Sequence, residues 1–138
     1  MSASLDESPD RHVLTLLDHR VTQFVVELGA VRLLTWTLHD ALELRVGVAF
    51  HLRQADGVSR RIDPQEPEQL APLLTLVGRR AESLEVEREG ALLVAFSDGT
   101  MLSVAPHARH EAWRLQGAGG LEGLDYRCAA GGGAPWTG

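Results

Sequence analysis

The chain has no lysine and no asparagine, and all 13 of its basic residues are arginine. That uniformity reads as the mark of a GC-rich coding sequence before it reads as chemistry. A single cysteine, Cys128, excludes an internal disulfide and agrees with a reducing compartment. No apolar run approaches the roughly 18 to 20 residues that a membrane-spanning helix needs. The start, Met1 to Arg11, is acidic and polar where a signal peptide would be basic and then apolar. No membrane partner is expected, and the expected location is cytoplasmic. The formal charge of −6 argues against a nucleic-acid partner, because such binding draws its affinity from clustered basic side chains meeting phosphates. An acidic protein instead suits a basic protein partner through long-range attraction.

What is present is an ordinary globular composition, 44% hydrophobic and 23% charged over 138 residues. A chain of this length makes one domain and buries about 68% of its unfolded surface without staples. The stretch from Ala81 to Val104 organises the rest. Leu84 and Val86 alternate with Glu85 and Glu87, which gives a half-buried strand with its carboxylates outward. Glu89-Gly90 turns the chain, and Leu92, Val94 and Phe96 share the inward face of a second strand. Asp98-Gly99 is a strong hairpin signal, returning Met101 to Val104 as a third.

Earlier in the chain, Ser8-Pro9-Asp10 reads as the start of a short helix burying Val13, Leu14 and Leu17. Strands are expected at Arg20 to Glu27, Val31 to Leu38 and Leu42 to Phe50, with a short one at Ser59 to Ile62. Asp63-Pro64-Gln65-Glu66 opens the main helix, near 64–77, whose stripe is Leu70, Leu73, Leu74 and Val77 and which Pro72 should kink. Further strands are expected at Glu111 to Leu115 and Leu124 to Cys128, with Gly117 to Gly120 flexible. Sliding the sequence along itself by 60 positions gives eight identities in the 32 positions from Leu14 to Arg45. Roughly three would arise by chance in so Leu-rich a chain. Leu14-Thr15-Leu16 falls on Leu74-Thr75-Leu76, and Trp36 falls on Phe96, both expected in the core.

The resulting expectation is an α+β domain, mainly antiparallel sheet, of about seven to nine strands and one main helix. It is built from two pseudo-repeated helix-plus-meander units at 14–45 and 74–105. A disordered tail is expected over 1–11, the domain over 12–128, and a flexible Gly-rich tail over 129–138.

Several features together resemble a known family. They are Gly78-Arg79-Arg80, the strand Leu92 to Phe96 ending in Asp98-Gly99, Glu111-Ala112-Trp113, Gly117 to Gly120, and a Gly-rich stretch before Trp136. Their order is similar to that of short bacterial proteins, mostly from GC-rich genomes, classed as a domain of unknown function. The chain departs from that pattern where Asp18-His19 replaces a Gly-Arg pair and where the end lacks a regular final strand. The resemblance implies no activity. It suggests one association, since similar small proteins sometimes sit beside secreted toxins as immunity partners.

Candidate chemistry is sparse. Glu111 and Trp113 are two residues apart and share a face if extended, so they form either an interface anchor or a core plug with Glu111 paired to an arginine such as Arg80 or Arg114. Glu85 and Glu87 are binding candidates on an outward strand face. His107 and His110 are weak metal candidates, because zinc needs three or four ligands and no CxxC pair accompanies them. No catalytic residue is nominated and no cofactor is expected. The chain carries no nucleophile elbow, P-loop or dinucleotide fingerprint. The function expected is a non-enzymatic protein-binding module, in one form an immunity- or antitoxin-like protein. The alternative is a small-ligand binder or enzyme with a pocket near Trp113, Glu111, His107 and His110.

Overall fold

The computed structural model describes residues 3–136. They form eleven strands: β1 (Ala3–Glu7), β2 (Arg11–Glu27), β3 (Ala30–Trp36), β4 (Asp40–Val46), β5 (Phe50–Arg53), β6 (Ser59–Ile62), β7 (Arg80–Glu87), β8 (Leu92–Phe96), β9 (Met101–Val104), β10 (Trp113–Gly119) and β11 (Asp125–Cys128). A 3-10 helix, Pro67–Leu76, lies between β6 and β7. The strands make one antiparallel sheet in the order β11-β10-β4-β3-β2-β7-β8-β9-β5-β6, with β1 added beside the first half of β2. Buried side chains from both ends of that order join one core, around an apolar cavity of about 30 Å³ lined by Leu16, Leu33, Leu44, Leu84, Phe96 and Leu115. The sheet therefore folds over on itself.

This corrects the α+β expectation. The fold is mainly antiparallel sheet with eleven strands rather than seven to nine, and the one helix among the described residues is a 3-10 helix. The expected first helix is instead the start of β2. There His12, Leu14 and Leu16 are buried while Arg11, Thr15 and Leu17 are exposed, an alternation that strand geometry serves and helix geometry does not. Ser8 marks the β1–β2 turn and caps no helix: its hydroxyl donates to the Arg11 carbonyl at 2.8 Å.

The main helix is corrected for a related reason. Its buried residues, Leu70, Leu73 and Leu76, fall three apart, the period of a 3-10 turn. Leu74 and Val77, which an α-helix would have buried with them, are exposed. Pro72, inside the helix, lacks the backbone donor that an α-type hydrogen bond to residue 68 would need.

Both expected tails hold structure. β1 occupies Ala3–Glu7. Residues 129–136, after β11, form no strand, but Gly131 N–H donates to the His107 carbonyl at 2.8 Å and Gly133 N–H to the Glu89 carbonyl at 3.1 Å. Met1, Ser2, Thr137 and Gly138, included in those expected tails, lie outside the described residues. The glycines at 117–120 are not a flexible linker either. β10 runs into them, and a Cβ on Gly117 or Gly119 would collide with the backbone of Leu121 or His39.

The strand order has a symmetry of its own. Exchanging β2 with β7, β3 with β8, β4 with β9, β5 with β10 and β6 with β11 gives the same order read backwards. Each half sends its last hairpin to the other: β5 pairs with β9, and β10 pairs with β4. The 60-residue correspondence nevertheless slips in the middle. The last β2–β3 pair, Glu27 with Ala30, encloses Leu28-Gly29, whereas Glu87 N–H donates to the Ala91 carbonyl beyond the last β7–β8 pair and encloses Arg88, Glu89 and Gly90, one residue more. Consequently Leu33 is buried while Leu93 faces outward, and Trp36 is 54% exposed while Phe96 is buried. By β4 and β9 the alternation is back in phase, and Leu42 and Leu102 are both core residues. No helix of the described residues is long and apolar enough to cross a membrane.

Candidate functional site

β1 and β11 each pair on one side only, β1 with β2 and β11 with β10. They line a cleft of about 1290 Å³, counted to its open mouth, whose other wall is the loop from Gly120 to Leu124. Alternation along β2 turns His12 inward, and alternation along β11 does the same for Tyr126. His12 Nδ1 and the Tyr126 hydroxyl share a hydrogen bond of 2.8 Å. The Trp136 ring stacks on His12 with centroids 3.8 Å apart and planes 16° from parallel, and Tyr126 meets both rings edge-on. The last described residue of the chain is thereby fastened to the first long strand.

Three carboxylates stand around this aromatic cluster: Glu7, Glu122 and Asp125. Asp125 pairs with Arg114 at 3.2 Å, while no ion pair reaches Glu7 or Glu122 among the described residues. Among the described residues no arginine lines the cleft itself, and Arg88 borders the adjoining recess that Glu7, His12 and Trp136 also line. Burial pushes the Tyr126 hydroxyl above the usual phenol range, and the nearby charge of Glu7 pushes it the same way.

The carboxylates singled out in the sequence lie on another part of the sheet. Glu85 and Glu87 are on the outward face of β7, where Glu85 pairs with Arg11. Glu87 is raised above the ordinary carboxylate range, first because it donates a hydrogen bond to Glu89, then through partial burial and the charges of Glu89 and Glu85. Glu89 is lowered by accepting that bond. Glu111 precedes β10 and pairs with Arg127 at 3.3 Å, not with Arg80 or Arg114. Trp113 does not share its surroundings. Its ring is buried in the core and its indole N–H donates to the Gly90 carbonyl at 2.8 Å.

His107 and His110 come together with ring centroids 5.0 Å apart, and His107 Nδ1 accepts the Arg109 backbone N–H at 3.0 Å. Among the described residues no group of three or more His, Cys, Asp or Glu side chains is placed to hold a metal ion. Cys128 is buried, and burial, with the charge of Glu111, pushes its thiol upward and away from thiolate reactivity.

One row of positive charge is created by pairing alone. Arg127, Arg114, Arg45 and Arg32 are successive cross-strand neighbours on β11, β10, β4 and β3. Like charges in such a row repel. Here each has a carboxylate: Glu111 at 3.3 Å from Arg127, Asp125 at 3.2 Å from Arg114, Glu27 at 3.8 Å from Arg45, and Glu43 at 2.7 Å from Arg32. Glu27 also comes within 2.8 Å of Arg32. The row is a neutralised ladder and not a strip open to phosphates.

The model of a family described as a family of unknown function, DUF6188, matches residues 10–137. The chain belongs to that family. The match agrees with the resemblance read from the motifs at the level of a domain of unknown function. Comparison with curated proteins and with solved structures finds no match. The DUF6188 region contains His12, Tyr126 and Trp136, whereas β1 and Glu7 precede it. Sequence reasoning nominated none of the cleft residues for a site. His12 and Tyr126 are separated by 114 positions, and neither carries a local motif. The only available signal was a histidine and a tyrosine at inward positions of alternating strands, where an apolar residue is the rule.

Proposed function

We propose that this DUF6188 protein is a non-enzymatic protein-binding module whose β1–β11 cleft receives an extended, basic segment of its partner. The observation that carries the reading is the lining of the cleft. Glu7 and Glu122 have no cationic partner among the described residues, and they stand beside aromatic rings between two strands with unpaired edges. An unpaired edge offers main-chain hydrogen bonds to an added strand, and carboxylates with aromatic faces favour arginine or lysine side chains along it. The overall charge of −6 favours encounter with such a partner. The groups that chemistry would need are otherwise engaged: His12 is held by Tyr126 and Trp136, and the Cys128 thiol is buried. An immunity-type protein that covers a basic surface of a toxin would be one member of this class.

The test is titration with a short peptide alternating arginine and valine, read by the chemical shift of the Trp136 indole and repeated at high salt. A salt-sensitive shift that weakens in Glu122→Gln is expected. An acidic peptide of the same length producing the same shift, or no shift with either, would remove the reading.

A further inference from the structure

The inward face of the sheet is left uncovered at one place. Val26 on β2 stands directly opposite the fully buried Val31 on β3, yet it is 57% exposed. The 3-10 helix packs over this end of the core but stops short of closing it. The result is an apolar groove lined by Phe24, Val26 and Val31 from the sheet and by Leu70, Leu73 and Leu74 from the helix. Leu74 is 66% exposed at its edge. Leu28, at the tip of the β2–β3 turn beside the groove, is fully exposed at 101%. A protruding apolar side chain and an apolar recess thus sit on a single patch.

Charge divides that patch into two ends. The helix runs antiparallel to the second half of β2: the Gln65 side chain lies over Gly29 at one end, and the Arg20 guanidinium donates to the Gly78 carbonyl at 2.9 Å at the other. The end next to Leu28 carries Glu66 and Glu68, both exposed and without an ion pair among the described residues. The end next to Val77 carries Arg20 and Arg79, of which Arg79 has only a 3.6 Å pair with Asp98.

We infer that this patch is the interface of a two-fold symmetric dimer, the partner being a second copy of this chain. A two-fold axis lying in the plane of the patch and crossing the helix at a right angle sets the acidic end of one copy against the basic end of the other. The same operation carries Leu28 of each copy toward the groove of its partner near Leu74 and Val77. A partner of uniform charge would meet repulsion at one end, whereas a second copy satisfies both ends at once. Exposed apolar side chains grouped in this way are the mark of an interaction surface rather than of scattered surface residues.

Analytical ultracentrifugation of the full chain over a concentration series reads the association directly. Dimer formation is expected, with Leu28→Glu and Leu74→Glu each weakening it by at least about tenfold, since each places a charge in the apolar contact. Both residues are exposed in the single chain, so at concentrations where the parent is monomeric both variants should keep its melting temperature. Glu68→Arg should weaken the dimer, and adding Arg79→Glu should restore it. A monomer at every concentration, or a dimer indifferent to both leucine variants and to the charge exchange, would overturn the inference. Neither result bears on the β1–β11 cleft, whose test uses a different probe on another part of the sheet.

Discussion

Trp36 and Phe96 occupy matching places in the sequence and opposite faces of the sheet. Truncating Phe96, which is buried against the central cavity, is expected to cost about 3 to 5 kcal/mol in chemical denaturation. Trp36→Ala should cost far less, because its ring is half in solvent. A second residue-level expectation concerns His19, which is wholly buried and shares a hydrogen bond of 3.1 Å with the Thr35 hydroxyl. Burial holds its imidazole below 6.5, against the opposing pull of Asp40. Below pH 6.5 the unfolded chain takes up a proton that the native state resists, so stability falls as the pH drops through that value. His19→Gln should flatten this part of the curve of denaturation midpoint against pH. Glu87 has the opposite sign. Its raised carboxyl lends stability at low pH that is lost as the pH rises through its folded value. Glu87→Gln keeps a donor toward Glu89 and removes a charge, so thermal melting should show a gain near neutral pH and none in acid.

At the level of elements, Leu-Thr-Leu occurs twice, as Leu14-Thr15-Leu16 and as Leu74-Thr75-Leu76. The first copy lies in β2 and the second in the 3-10 helix. Local sequence therefore does not decide the structure of this triplet. In the first copy β1 and β7 supply strand partners on both sides, while in the second Pro72, two residues before the triplet, removes a donor that a ladder or an α-helix would use. The glycines near the end of β10 give the measurable case. Gly117→Ala should cost about 1 to 3 kcal/mol, because its Cβ would meet the Leu121 carbonyl, a backbone atom that cannot swing aside. An unchanged melting temperature would mean that the loop after β10 yields.

The same elements show how much of the molecule was legible in the sequence. The β7–β8–β9 meander was readable because each strand alternates cleanly and Asp98-Gly99 marks its second turn. The start of β2 was not, since Ser8-Pro9-Asp10 satisfies the chemistry of a helix cap and of a tight turn equally well. The face of β3 was hidden by a single extra residue in a distant turn. The cleft was hidden altogether, because the pairing that brings β11 near β1 spans almost the whole chain.

For the molecule as a whole, the crossing of the two terminal hairpins matters most. β5 and β6 close the edge of β9, and β10 and β11 close the edge of β4. Each lobe thus finishes the other, as two hands do when they clasp. Neither could stay folded after its neighbour let go, since release would bare a strand edge and strip the shared core together. Amide hydrogen exchange should accordingly report one opening event for β4, β5, β9 and β10, with protection lost at a common denaturant concentration. Cutting the chain at the exposed Asp56-Gly57 turn should leave two fragments that fold only when mixed.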